Sequence, residues 1–335
     1  IDMYTFSSKL KTFSIILMVL GLLGIGYGFL SAPKDIQEVE KILAADAHGA
    51  HGTAHGESAE ATHKEAGHHE AAEASHEEHK GGEHAKVGAA DEHTEHLNHV
   101  LHQLQNKPWS ALYVACIFFL LLSMGVLAFY AIQQVAQAGW SPVLFRVMQG
   151  ITAYLPAGSI IFFIILVLCG LHFNHIFVWL GEGVTDPKSA NYDAIIAGKS
   201  GYLNFPFWIV RAAIFLAGWN LYRYISRKNC LAQDEANDDL YYKKNFKASA
   251  GFLVFFIVSE SIMSWDWIMS FDPHWFSTLF GWYVFASFFV SGITSIALIT
   301  IYLKSKGYLE YVNNSHIHDL AKFMFGISVF WTYLW

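Results

Sequence analysis

Residues 259–283 read SESIMSWDWIMSFDPHWFSTLFGWY. The stretch opens inside an apolar run that carries Glu260 and Asp266, breaks at Asp272-Pro273-His274-Trp275, and then starts a second apolar run. Hydrocarbon offers no water to a bare N–H or C=O, so a chain crosses it as helices, and this pattern predicts helix, short turn, helix. Acids inside such a helix cost several kcal/mol each, so they are expected to face a packed interior or water and to serve a task there. Trp265, Trp267, Trp275, Phe276 and Trp282 crowd the turn, where a membrane-surface belt of aromatics is expected.

Outward from this hairpin the same composition continues. The chain of 335 residues is 54% hydrophobic and 16% aromatic. Apolar runs of about 20 residues recur, which predicts an all-α polytopic transmembrane helix bundle. The runs are Phe13–Leu30, Ser110–Gln134, Ile151–Trp179, Phe207–Ile225, Ala248–Ser270 and Ser277–Leu303, with Leu320–Trp335 as part of a seventh. A chain end inside hydrocarbon is costly, so a continuation past Trp335 is expected. Three regions follow: an anchor helix over 1–30, a loop over 31–109 and the bundle over 110–335. The first run also fits a cleaved signal peptide loosely; its presence in the chain favours the anchor. Gly24 and Gly28 make a small-xxx-small pair suited to close helix contact. Ser141–Gly150 reads as an interfacial connector, and 181–205 and 223–247 as polar loops.

The net charge of -7 is unevenly placed. Residues 31–110 hold 15 acids and six lysines, so the remainder, with 15 basic and 13 acidic residues, is close to neutral. No basic patch points to nucleic acid. The same region holds 13 of the 18 histidines and few large apolar groups, so disorder is expected over much of it, with a short helix from about Asp91. A His-rich tract can hold Zn, Cu or Ni, and His48, His51, His55, His68 and His69 are the candidate ligands. A solvated acidic loop with incidental histidines is the plain alternative.

The three cysteines, Cys116, Cys169 and Cys230, form no CxxC or CxxCH motif, so this chain offers no iron–sulfur cluster and no covalent haem. A b-type haem needs two axial histidines on facing helices, and only the third run carries membrane histidines. Any redox centre therefore belongs to partner subunits.

The short loops orient the bundle. One side receives Lys9, Lys11, Arg146, Arg223, Arg227, Lys228, Lys243, Lys244, Lys247, Lys304, Lys306 and Lys322; the other receives Lys188 and Lys199. The positive-inside rule then places the N-terminus in the cytoplasm and the His-rich loop outside, in the periplasm of a bacterial inner membrane. With that topology His172 and His175, three apart on one helical face, come late in an outward run. Arg211 lies roughly 6–8 Å deep, and Glu260 about 9 Å inward of Asp266. Asp272 and His274 occupy the outer turn. The expectation is a cluster of His172, His175, Arg211, Asp266, Asp272 and His274 at the outer side, with Glu260 leading inward from it. Histidine beside carboxylate suits proton handling. Glu260 and Asp266, six apart, do not share a face. Arg211–Asp266 as a structural ion pair, and Asp272-Pro273 as a simple helix stop, are the plain alternatives.

Three stretches carry a resemblance. DWIMSFDPHWFSTLFGWY (266–283), HDLAKFMFGISVFWTYLW (318–335) and the pattern of Tyr154, Pro156 and His172 resemble the NrfD, or polysulfide-reductase, membrane family. Within it they are similar to the two large quinone-binding-type membrane subunits of alternative complex III, a bacterial quinol:cytochrome c oxidoreductase. The long His-rich loop is more like the second of these two paralogues than the first. The resemblance covers most of 107–335. It implies ten helices, as two four-helix bundles plus two, and quinol oxidation at the outer face, with menaquinol or ubiquinol as substrate. It implies a proton path, with Asp266 and His172 facing the bundle interior. The partners it implies are the paralogous membrane subunit, an iron–sulfur subunit and multihaem cytochrome c subunits, besides the quinol pool and lipids. Two other functions stand beside it: a metal-cation transporter that gathers ions on the His-rich loop, and a purely structural membrane subunit.

Overall fold

The computed structural model describes residues 7–50 and 84–335. The chain divides into two compact units, Gly21–Pro108 and Ile1–Leu20 with Trp109–Trp335. Helix α1 (Ser8–Leu30) has no buried residue, as a helix meant for lipid or for another chain requires. In the smaller unit, α2 (Ile36–Ala50) starts where Glu38 accepts from the Lys34 backbone N–H at 2.9 Å. Val39 and Leu97 are buried there, and Gln105 donates to the Pro33 carbonyl at 3.2 Å. Segments 36–50 and 84–109 are thus helical, so disorder does not extend to them; residues 51–83 lie outside the description. The short helix expected from Asp91 is the beginning of α3 (His84–Val135), which contains Pro108.

The larger unit is built from α3 from Trp109 onward, α4 (Phe145–Ile151), α5 (Leu155–Gly170), the short α6 (Ala194–Lys199), α7 (Phe205–Glu235), α8 (Leu240–Trp267), α9 (Phe280–Ser305) and α10 (Asn314–Leu334). Among the described residues no strand occurs. α7 and α8 are antiparallel: the Trp208 indole donates to the Asp266 carbonyl at 2.9 Å, the Trp219 indole to Ser259 Oγ at 2.9 Å, and Tyr222 bonds Ser249 at 2.7 Å. α3 lies antiparallel to α8 as well, joined by Tyr113 to the Trp267 carbonyl at one end and by Asn245 to Tyr130 at the other. α3 and α9 touch backbone to backbone, since a Cβ on Gly125 would stand 2.6 Å from the Phe288 carbonyl oxygen.

Among the described residues five helical segments are long and apolar enough to cross a membrane: Ser8–Leu30, Val100–Val135, Pro142–Gly170, Leu240–Phe271 and Phe280–Ser305. The protein is a multi-pass α-helical membrane protein. α7 and α10 fall outside this set because Arg211, Asn220 and Arg223 interrupt one and His316, His318, Asp319 and Lys322 crowd the start of the other. α7 nevertheless runs alongside α8 from Trp208 to Tyr222.

Several boundaries differ from expectation. The connector over 141–150 is helical and continues into α5. The charged segment over 223–247 is the end of α7 and the start of α8, separated only by residues 236–239. Most consequentially, the third run stops at Gly170. Phe173 N–H bonds the Leu168 carbonyl and His172 N–H the Cys169 carbonyl, with His172 at φ 60°, a Schellman termination. His172 and His175 therefore do not share a helical face; both lie on the loop beyond α5.

Candidate functional site

At the end of the bundle where α8 turns into α9, the expected helix–turn–helix is present, with the helix ending at Trp267 and restarting at Phe280. Asp272 shapes the turn by accepting the His274 backbone N–H at 3.1 Å. Pro273 is buried, and its carbonyl accepts from Lys199 Nζ at 2.5 Å, which ties the turn to α6. Asp193 caps α6, its Oδ1 accepting from Ile195 N–H at 2.8 Å and Ile196 N–H at 3.1 Å, while its Oδ2 meets His274 Nε2 at 2.6 Å. His274 thus stands between two carboxylates, with Nδ1 3.7 Å from Asp272 Oδ1. The Ile196 backbone N–H, and after it His274, hold the Asp193 carboxyl below its ordinary value.

Under this edge lies a cavity of about 730 Å³ between α6, the loop to α7 and the α8–α9 turn. Its walls are mainly apolar and aromatic, with Tyr202, Trp265, Trp275 and Phe276, and its polar points are Lys199, Ser270 and His274. Burial, and then the Asp266 carboxylate, push the Tyr202 phenol up.

Behind Tyr202 sits the buried ion pair. Arg211 Nε and Nη2 meet Asp266 Oδ2 and Oδ1 at 2.6 and 2.9 Å, and the residues are 7% and 0% exposed. The guanidinium also donates to the Tyr202 carbonyl at 3.3 Å and lies 4.0 Å from the Tyr202 ring and 4.2 Å from that of Phe207. Both carboxylate oxygens are therefore occupied, so the pair serves as a clamp between α7 and α8 and stabilises one wall of the cavity.

Of the expected outer cluster, the structure assembles two parts: Arg211 with Asp266, and His274 with Asp272. His172 and His175 are exposed, so the expected inward placement of His172 does not hold. Glu260 is 5% exposed about two turns before the C-terminal end of α8; Ser261 donates to its Oε2 at 3.3 Å and Oε1 has no partner. Asp193, Lys199 and Tyr202 were not singled out by sequence. The one signal for them was Asp193 ahead of Ala194-Ile195-Ile196, an N-cap pattern, but its link to His274 spans 81 residues.

Among the described residues no group of three His, Cys, Asp or Glu side chains is placed to hold a metal ion. His51, His55, His68 and His69, and the side chain of His48, lie outside the described part.

Fold and site together define a class: a polytopic helical membrane protein with an aromatic-walled cavity at one end, lined in part by a histidine that stands between two carboxylates. No protein-family model matches the chain, and no curated protein matches it.

Proposed function

We propose that the chain is an integral membrane subunit of a respiratory quinol:cytochrome c oxidoreductase of the alternative complex III type, most like the second of its two large quinone-binding-type membrane proteins, and that the cavity beneath Trp275 receives the quinol ring. The observation that carries this is a roomy apolar cavity with His274 on its wall, whose ring nitrogens meet Asp193 and Asp272. Pockets for flat apolar ligands have this character, with few polar groups that fix orientation. Oxidation of a quinol releases two protons and two electrons. His274, on the cavity wall, is the proposed proton acceptor, and Asp193 and Asp272 beside its two ring nitrogens would take up the charge it gains. The electrons leave to iron–sulfur and c-type haem centres of partner subunits, because this chain has no motif for either.

In this proposal the membrane is the bacterial inner membrane. The N-terminus is cytoplasmic, and the His274 end and the His-rich loop face the periplasm, a reading that the lysine and arginine asymmetry of the short loops supports. Glu260, buried with one oxygen unpartnered, is the candidate for moving protons further inward.

A photoreactive quinone analogue tests the site directly. Illumination of the purified assembly, followed by peptide mass spectrometry, is expected to place the label within 195–203 or 265–276, with labelling suppressed by excess quinol. Labelling confined to other segments, or to partner subunits, would remove this chain from the quinol site. In the same assembly His274→Ala and Asp193→Asn are expected to lower quinol:cytochrome c turnover by roughly 10²-fold or more, the lower range for loss of a proton acceptor.

A further inference from the structure

Besides His274, the lining of the cavity holds one basic side chain. Lys199 ends α6, is half-buried, and lines the space together with Ile195 and Gly198 of the same helix. Its Nζ donates to the Pro273 carbonyl at 2.5 Å and stands 5.9 Å from the centre of the Phe276 ring. An ammonium has three N–H donors, and a single hydrogen bond uses one. Among the described residues Lys199 belongs to no ion pair, and no carboxylate stands among the residues that line the cavity. The two acids of this edge are engaged elsewhere. Asp193 accepts from Ile195 and Ile196 and meets His274, and Asp272 accepts the His274 backbone N–H.

The plain role for Lys199 is to fasten α6 to the turn. Fastening needs one N–H, and it leaves the other two and the charge without use. The place of the ammonium gives them one. The carbonyl that it holds belongs to the peptide group leading into His274, so Lys199 and His274 meet the cavity at the same edge. A ring hydroxyl that passes its proton to His274 loses an O–H bond, the imidazole gains an N–H bond, and the oxygen keeps the electron pair and becomes an anion. Among Tyr202, Trp265, Trp275 and Phe276 such an anion is poorly solvated, and a donor already in place is what stabilises it.

We infer that Lys199 is a second substrate-contacting residue of the cavity, whose ammonium holds the oxygen anion formed when a ring hydroxyl gives its proton to His274. The inference rests on the quinol reading and narrows it: the site selects rings in their ionised form. No electron moves in this step; oxidation follows, to the partner-subunit centres proposed above.

Competition against the photoreactive quinone in the purified assembly tests it, with the label read in 195–203 and 265–276. The competitors are lawsone, a hydroxynaphthoquinone that is an anion at neutral pH, and its neutral methyl ether. The anion is expected to displace the label at roughly tenfold lower concentration, the advantage of a charge-assisted hydrogen bond over a neutral one. Lys199→Gln is expected to abolish this preference, and Lys199→Arg and His274→Ala to retain it. Equal displacement by the two competitors in the native assembly overturns the inference. So does a preference that survives Lys199→Gln, whether both competitors weaken alike, which leaves Lys199 a fastener, or His274→Ala removes it, which gives the anion to the imidazolium. If Lys199→Gln fails to assemble, the native protein and His274→Ala decide: a preference kept in both supports the inference, and one lost in His274→Ala overturns it. Label absent from both segments in the native assembly removes the quinol reading and this inference with it, whereas label without preference for the anion removes this inference alone.

Discussion

The guanidinium of Arg211 and the carboxylate of Asp266 meet at two points, Nε to Oδ2 at 2.6 Å and Nη2 to Oδ1 at 2.9 Å, and so bolt α7 to α8 beside the cavity. The same Asp266 residue accepts the Trp208 indole and the Ser270 hydroxyl on its backbone carbonyl, so one position fixes three neighbours. A charge at the core of a membrane bundle is tolerated when geometry of this kind satisfies it, and becomes a liability when half of it is removed.

That asymmetry predicts a non-additive pattern. Arg211→Met or Asp266→Leu alone is expected to cost about 3–5 kcal/mol, because each leaves an uncompensated buried charge. The double variant removes both charges and is expected to be more stable than either single one. Thermal unfolding of the four proteins in the same detergent gives the coupling energy. If the losses simply add, the two residues do not function as a pair.

His172 supplies a second test. It sits at φ 60° at the end of α5, where a Cβ is disfavoured and glycine is the usual residue. His172→Gly is expected to raise stability by about 1 kcal/mol, with no loss of the quinol:cytochrome c turnover proposed above. A fall in turnover with the fold intact would restore His172 to the proposed proton-handling group, which its exposed position leaves it out of.

A third prediction concerns pH. Asp193 has a folded-state pKa below its ordinary value of 3.8, first through the Ile196 N–H and then through His274. A carboxyl of this kind favours the folded state most when ionised. Its contribution is therefore fully present above pH 3.8 and is lost as pH falls through the lower folded value. Melting temperatures of the native protein and of Asp193→Asn, followed downward from neutral pH, are expected to differ most above pH 3.8 and to converge below it. A constant difference across that window would show that the loss is of capping geometry alone.

The hairpin at 259–283 was legible because Asp272-Pro273 interrupts two apolar runs, and both runs became helices. The apolar cores of α3, α8 and α9 were legible for the same reason. Hydropathy reports only what lipid requires, so it missed the helical turns that project beyond lipid: residues 226–235 of α7 and 240–247 of α8 are charged and still helical. It also read α5 through to Trp179, since Phe173, Ile176 and Phe177 are as apolar as a helix, and nothing local announced a left-handed histidine. Phe177 and Trp179 are indeed buried, but they pack from outside α5 onto Trp208. The partner of His274 was hidden for another reason. Asp193 reaches it across 81 residues, and no local pattern encodes such a contact. Asp272 and His274, close together in the turn, were found because sequence proximity already joined them.

The close contact of α3 with α9 yields the last prediction. A Cβ at Gly125 would stand 2.6 Å from the Phe288 carbonyl oxygen, and one at Gly292 would stand 2.9 Å from the Val126 nitrogen. Both obstacles are backbone atoms, which cannot rotate away, so the helices themselves must separate. Helix association in lipid depends on such close approach by small residues, because apolar burial alone does not distinguish a neighbouring helix from lipid. Gly125→Ala and Gly292→Ala are each expected to destabilise by about 1–3 kcal/mol, the usual range for overpacking. Gly150→Ala, in α4, meets nothing within 4 Å and serves as the control. There the gain in helix propensity is expected to leave stability unchanged or raised by up to about 1 kcal/mol. Equal melting temperatures for Gly125→Ala and Gly150→Ala would show that α3 and α9 do not meet backbone to backbone.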